Sequence, residues 1–228
     1  MRPVIRNCAL HRLSLLLAST GLAVLLLSGA GYAAQDQSTL QQVLAQKVSG
    51  YEDGVSQFPL LFGHLSERYG FPLGLEIDGE LAERHTSVEV SRGTVADVLT
   101  AIVSQMPGYQ WVVANGVVNV KPQQPADSVL DVQVAHFRIR RVTPDGAAQA
   151  IASVPEISAW LERNGVVERH FVPVYPLGDM KHLPRISLEV RGRALRDILN
   201  AIVAKPRLKC WSVTRYGDGG KYLSIVVE

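Results

Sequence analysis

One stretch of this chain is written twice. The run from Val88-Glu89-Val90 to Trp111-Val112-Val113 aligns without a gap on Leu188-Glu189-Val190 to Trp211-Ser212-Val213, at a constant offset of 100 residues. Glu89/Glu189, Val90/Val190, Asp97/Asp197, Leu99/Leu199, Ala101/Ala201, Ile102/Ile202, Val103/Val203, Trp111/Trp211 and Val113/Val213 are identical. Val88/Leu188, Val95/Leu195 and Val98/Ile198 stay apolar. Agreement held in one register marks a duplicated supersecondary unit, so whatever the first copy folds into, the second must also fold into. Between the copies lies the polar, proline-containing run Pro122-Gln123-Gln124-Pro125-Ala126-Asp127-Ser128, which reads as a linker. The expected organisation is a segment 1–34, a domain over 36–122 and a second domain over 128–228. Each copy reads as strand, helix, strand, strand, helix, strand, strand. The expected class is therefore α+β, as two tandem β-α-β-β-α-β-β domains.

The local signals are specific. Ser56 is positioned to cap a helix with Phe58, Leu61, Leu65 and Tyr69 on one face; Gly70 ends it and Pro72 forbids its continuation. Leu73, Leu75 and Ile77 then alternate with Gly74, Glu76 and Asp78 at strand period. Thr94 is placed as an N-cap with Asp97 three residues on, and Val95, Val98, Leu99, Ile102, Val103 and Met106 form one apolar stripe. In the second copy Thr94 becomes Ala194 while the stripe persists, so packing and not capping decides this helix. Trp111 and Val113 lead into Asn115-Gly116, the strongest two-residue hairpin signal. Trp211 and Val213 lead instead into a longer glycine-rich turn at 217–220, expected to join two strands and not to cradle phosphate. Val129 to Arg141 alternates as a strand; Thr143-Pro144 opens a helix that Pro155 breaks. The segment 172–184 has no counterpart in the first copy.

Residues 1–12 hold Arg2, Arg6 and Arg12 and no acid; an apolar stretch over 13–27 and small residues over 28–34 follow. This is the layout of a secretory signal peptide, and it predicts export to the periplasm; the alternative reading is an uncleaved membrane anchor. The apolar stretch is shorter than the ~20 residues a spanning helix needs. The chain has 23 Lys+Arg against 21 Asp+Glu, a formal charge of +2. Removing the three arginines of the signal leaves 20 cations against 21 acids, so no single-sign field remains to hold nucleic acid. The two cysteines, Cys8 and Cys210, fall on either side of the cleavage zone and exclude a disulfide scaffold in the exported part.

Catalytic motifs of the Gly-x-Ser-x-Gly, Ser-x-x-Lys and His-Glu-x-x-His kinds do not occur. Glu168, His170, Asp179 and His182 are the densest grouping capable of metal or acid–base work, and they carry the alternative reading of an envelope hydrolase or metal-dependent enzyme. A cell-wall or small-ligand binder would need an apolar pocket with convergent polar groups. Cys210 replaces Gln110 beside the repeated tryptophan and reads as a half-buried structural thiol. Asp97 and Asp197 are expected to serve helix starts, and Trp111 and Trp211 to anchor the core.

The phrase Pro59-Leu60-Leu61-Phe62-Gly63-His64-Leu65-Ser66-Glu67-Arg68-Tyr69-Gly70-Phe71-Pro72-Leu73-Gly74-Leu75-Glu76, followed by the Val88-Glu89-Val90 strand, Gly93-Thr94-Val95-Ala96-Asp97-Val98-Leu99 and Tyr109-Gln110-Trp111, resembles the secretin and TonB short N-terminal (STN) domain family. The resemblance covers nearly all of residues 50–121 and, more loosely, 129–227. It implies two helices held between two small sheets in each copy, and a periplasmic module that docks other envelope proteins. It also implies partners of the secretin, TonB-dependent receptor or anti-sigma regulator type, and a place near the outer membrane. No β-barrel or secretin pore segment follows the second copy, so the expectation is a free-standing, non-catalytic adaptor without cofactor, metal or nucleic-acid partner. Binding is expected by strand addition at a sheet edge, with Tyr175, Asp179 and His182 as a copy-specific contact.

Overall fold

The computed structural model describes residues 38–124, 127–169 and 183–228. The proposed signal segment lies outside the described residues, as do Pro125 and Ala126 of the linker and most of the 172–184 segment. Leu40–Glu228 form one compact unit of mixed α+β structure with several small sheets.

Helix α1 (residues 38–44) precedes β1 (Lys47–Gln57), α2 (Phe58–Tyr69), β2 (Leu73–Asp78), α3 (Gly79–Glu83), β3 (His85–Thr94), α4 (Val95–Val103), β4 (Tyr109–Ala114) and β5 (Val117–Pro122). The second repeat follows as β6 (Gln133–Val142), α5 (Pro144–Ala152), α6 (Pro155–Arg163), β7 (Val167–Glu168), β8 (Ile186–Ala194), α7 (Leu195–Val203), β9 (Cys210–Tyr216) and β10 (Tyr222–Val227). The strand order and its pairings repeat, while the helices differ: α5 and α6 stand where the first copy has α2, and α3, not expected from the sequence, lies between β2 and β3. β1 and β3 form an antiparallel ribbon, as do β6 and β8; β4-β5-β2 recurs as β9-β10-β7, with the outer pair antiparallel and the inner pair parallel.

The two three-stranded sets join into one six-stranded sheet, ordered β4-β5-β2-β9-β10-β7, because β2 pairs in parallel with β9. Leu73, Leu75, Ile77, Val118 and Val120 share one core with α2 and α4. Val117, Trp211, Val213, Leu223, Ile225 and Val227 share another with α5, α6 and α7. Side chains alternate across a strand, so the helices of the two repeats cover opposite faces of this sheet. The apolar stripe of α4 is buried throughout, at about 1.5–3 kcal/mol per large side chain.

Several local expectations hold. Gly70 takes the left-handed conformation (φ 72°, ψ 41°) and its N–H reaches the Ser66 carbonyl. Thr94 and Asp97 form a reciprocal capping box, while Ala194 gives α7 no side-chain cap. Pro155 begins a new helix, and the glycine-rich turn joins β9 to β10. Others are corrected. Gln57, not Ser56, occupies the N-cap of α2, and no side chain caps it, because β1 runs up to the helix. The alternation read from Val129 starts four residues later, since Ser128 caps a short 3-10 turn over Val129–Asp131.

Candidate functional site

The two ends of the β2–β9 joint define what the site is. Cys210 and Glu228 exchange backbone hydrogen bonds (3.1 and 2.8 Å), so the even-numbered residues of β9 bond to β10. Lys209, Trp211 and Val213 therefore turn their backbone groups toward β2, and Leu73 N–H donates to the Lys209 carbonyl at 2.9 Å. Trp211 and Val213 are 0% and 3% exposed.

The same strand in the first repeat, β4, has no such neighbour among the described residues. Asn115 and Gly116 (φ 53° and 73°) form a two-residue turn that Ala114 and Val117 close as a hydrogen-bonded pair. Ala114, Val112 and Gln110 accordingly bond to β5, and Trp111 and Val113 direct their backbone N–H and C=O outward. Trp111 is half-buried and Val113 is 38% exposed, unlike their repeat partners. Trp111 is packed against the first core as a partly buried residue, whereas Trp211 lies fully inside the second. Beside this edge runs a groove of about 400 Å³ whose walls include Thr100, Val103, Met106, Tyr109 and Trp111.

The other edges of the molecule are blunted. The ribbons β1–β3 and β6–β8 carry register shifts at Asp53/Ser56 and Ile139/Val142 and several charged residues. β7 is two residues long. β4, Tyr-Gln-Trp-Val-Val-Ala, has six residues, no charge and an unbroken register. Natural sheets protect exposed edges with bulges, charges or shortness, and β4 uses none of these.

The indole of each tryptophan is held by the same helix position. Trp111 Nε1 donates to Thr100 Oγ1 at 3.1 Å, and Trp211 Nε1 donates to Asn200 Oδ1 at 2.8 Å. The helix starts have diverged: Asp97 closes the capping box, whereas Asp197 accepts from Asn115 Nδ2 at 2.8 Å and so ties α7 to the first repeat's hairpin. Arg196, replacing Ala96, pairs with Glu76 at 2.7 Å, with side chains 11% and 15% exposed. Sequence reasoning missed this pair; an arginine at a helix position that is alanine in the other copy was the available signal.

Of the remaining candidates, Tyr175, Asp179, His182 and His170 lie outside the described residues. Glu168 is described, at the end of β7. Among the described residues no three His, Cys, Asp or Glu side chains gather as a metal site. His64 Nδ1 meets Asp53 Oδ2 at 2.9 Å, and His136 meets Glu189 at 3.2 Å, both at the surface. Cys210 lies against Glu228 (3.7 Å), and burial first, then that carboxylate, pushes its thiol up to about 12. Burial also raises the Tyr109 hydroxyl above its ordinary value; that hydroxyl accepts from the Asp78 N–H at 2.9 Å. No described helix is long and apolar enough to cross a membrane. No family model, characterised protein or solved structure matches this chain.

Proposed function

We propose that this chain is a non-catalytic, exported adaptor that docks envelope proteins by accepting an extended segment on the open edge of β4. In this reading residues 1–34 are the export signal, and 36–122 and 128–228 are two tandem domains of the STN kind, each with helices between a ribbon and a sheet. The same strand pairings in the two halves, β1–β3 with β4-β5-β2 and β6–β8 with β9-β10-β7, support it. Partners are of the secretin, TonB-dependent receptor or anti-sigma regulator type, and the setting is the periplasm near the outer membrane. One observation carries the binding mode: β9 receives β2 along its outer edge, while the matching edge of β4 is uncharged, unbulged and open at Trp111 and Val113. Its Tyr109 carbonyl, the counterpart of the Lys209 carbonyl that accepts from Leu73, is held by Gln123 Nε2 at 3.1 Å, so an incoming strand displaces that side chain there.

The test is a photo-crosslinking residue at Val112 of the full chain, expressed in its own host, with Ser212 as the control position covered by β2. The reading predicts an adduct with an envelope protein from position 112 and none from 212. It also predicts that Val113→Pro abolishes the adduct. That substitution removes only an outward N–H, and proline is tolerated on an edge strand, so melting should move by no more than a few degrees. An absent adduct, or one indifferent to Val113→Pro, would overturn the proposal.

A further inference from the structure

Strand β2 is a resident occupant of the β9 edge, and its chemistry describes what the empty β4 edge can accept. This holds for β4 if strands add there, as proposed above. Gly74 lies opposite Trp211 in the parallel register. A Cβ built there would sit 2.3 Å from Trp211 Cζ2 and 2.4 Å from Cε2. Gly74 does not have a positive φ, so space, not backbone conformation, is what demands glycine. The indole cannot swing aside freely, because Asn200 holds its Nε1.

Trp111 presents the same obstacle. It stands at the matching position of β4, its Nε1 is held by Thr100 from the same turn of the preceding helix, and its backbone faces outward as that of Trp211 does. A strand laid on β4 as β2 is laid on β9 meets the Trp111 ring where β2 meets Trp211. The next residue on that face differs: Glu76 answers Arg196, but the counterpart of Arg196 is Ala96, so the β4 edge makes no demand for an acid there.

We infer that β4 selects an extended segment of a partner protein that runs parallel to it and carries glycine opposite Trp111. The parallel β2–β9 pairing is the template for the direction, and the indole sets the glycine.

The probe is a blocked peptide with the sequence of residues 71–78, compared with its Gly74→Val version. Each is titrated into the isotope-labelled full chain, and backbone and indole N–H shifts are read. The expected result is saturable binding with shifts centred on Trp111 and Val113, weakened at least about tenfold by the valine. In a Trp111→Ala chain the two peptides should bind within about twofold of each other, since the obstacle is gone. Equal binding of both peptides to the parent, no saturable binding, or shifts centred on Trp211 and Val213 (displacement of the chain's own β2) would each overturn the inference. So would concentration-dependent changes at Trp111 without peptide, which would assign the edge to a second copy. A crosslinked partner whose contacting segment lacks glycine would leave the adaptor reading standing and remove the selectivity. Glycine-selective peptide binding without any envelope adduct would do the reverse.

Discussion

Replacing Gly74 by alanine drives a methyl carbon into the indole of Trp211, and the outcome can be worked from the distances. Carbon atoms pack at about 3.5–4.0 Å, whereas the new Cβ would lie 2.3 Å from Cζ2 and 2.4 Å from Cε2. Two routes relieve the overlap. β2 can lift from β9, which strains the parallel ladder at the middle of the sheet; overpacking of this kind costs about 1–3 kcal/mol. Alternatively the indole rotates away and leaves buried Asn200 without its 2.8 Å bond, which costs about 1–3 kcal/mol for the unsatisfied group. Either route costs about 1–3 kcal/mol, so a substitution adding one methyl should cost about that much, a sizeable share of the 5–15 kcal/mol typical of a folded protein. Equilibrium unfolding in urea reads it as a fall in midpoint at unchanged slope. Gly63→Ala is the control: it lies within α2, nothing is within 4 Å of its added Cβ, and helix propensity predicts neutrality or a gain of up to about 1 kcal/mol. Trp211→Phe in the Gly74→Ala background should recover part of the loss, as a coupling of about 1 kcal/mol or more. Equal stability of Gly74→Ala and parent, or additivity with Trp211→Phe, would refute the reasoning.

Three further outcomes follow from the same geometry. Arg196→Ala leaves the Glu76 carboxylate without its 2.7 Å partner at a site where both side chains are nearly buried, so a loss of about 3 kcal/mol is expected, read by chemical denaturation. Thr94→Ala removes the capping hydroxyl of α4 and should cost about 1 kcal/mol, while Ala194→Gly, where no cap exists, should change stability by only a few tenths. The Cys210 thiol, raised from 9.0 to about 12 chiefly by burial, stays protonated in the native state. Its stability contribution is complete below the unfolded value near 9 and is lost as pH rises toward 12, so alkylation at pH 8 should be slow in the native chain and fast in urea.

Much of the fold was legible locally. The stripe Val95, Val98, Leu99, Ile102, the Asn115-Gly116 turn, the Gly70 terminus and the Pro155 break are each set by neighbours within a turn or two of chain, and each appears as read. The β2–β9 joint was not legible, because it pairs strands more than a hundred residues apart and nothing in either strand names its partner. Its traces were present: a glycine in mid-strand at 74, and arginine for alanine between positions 96 and 196. Trp111 and Trp211 are the clearest case of the limit. They occupy the same position of the repeat and differ in burial because only one has a strand laid beside it. The enzyme reading drew on His170, Asp179 and His182, which lie outside the described residues; the β4 edge drew on no unusual residue at all, only on an absence of charge.

Native-state amide exchange compares the two edges within one molecule. The account predicts that the N–H groups of Trp211 and Val213, bonded to β2, exchange only with opening of the central sheet. Those of Trp111 and Val113 should exchange orders of magnitude faster in the free chain and slow when the docking partner is added. Equal protection at the four sites in the free chain, or fast exchange at Trp111 and Val113 that the bound partner leaves unchanged, would contradict it.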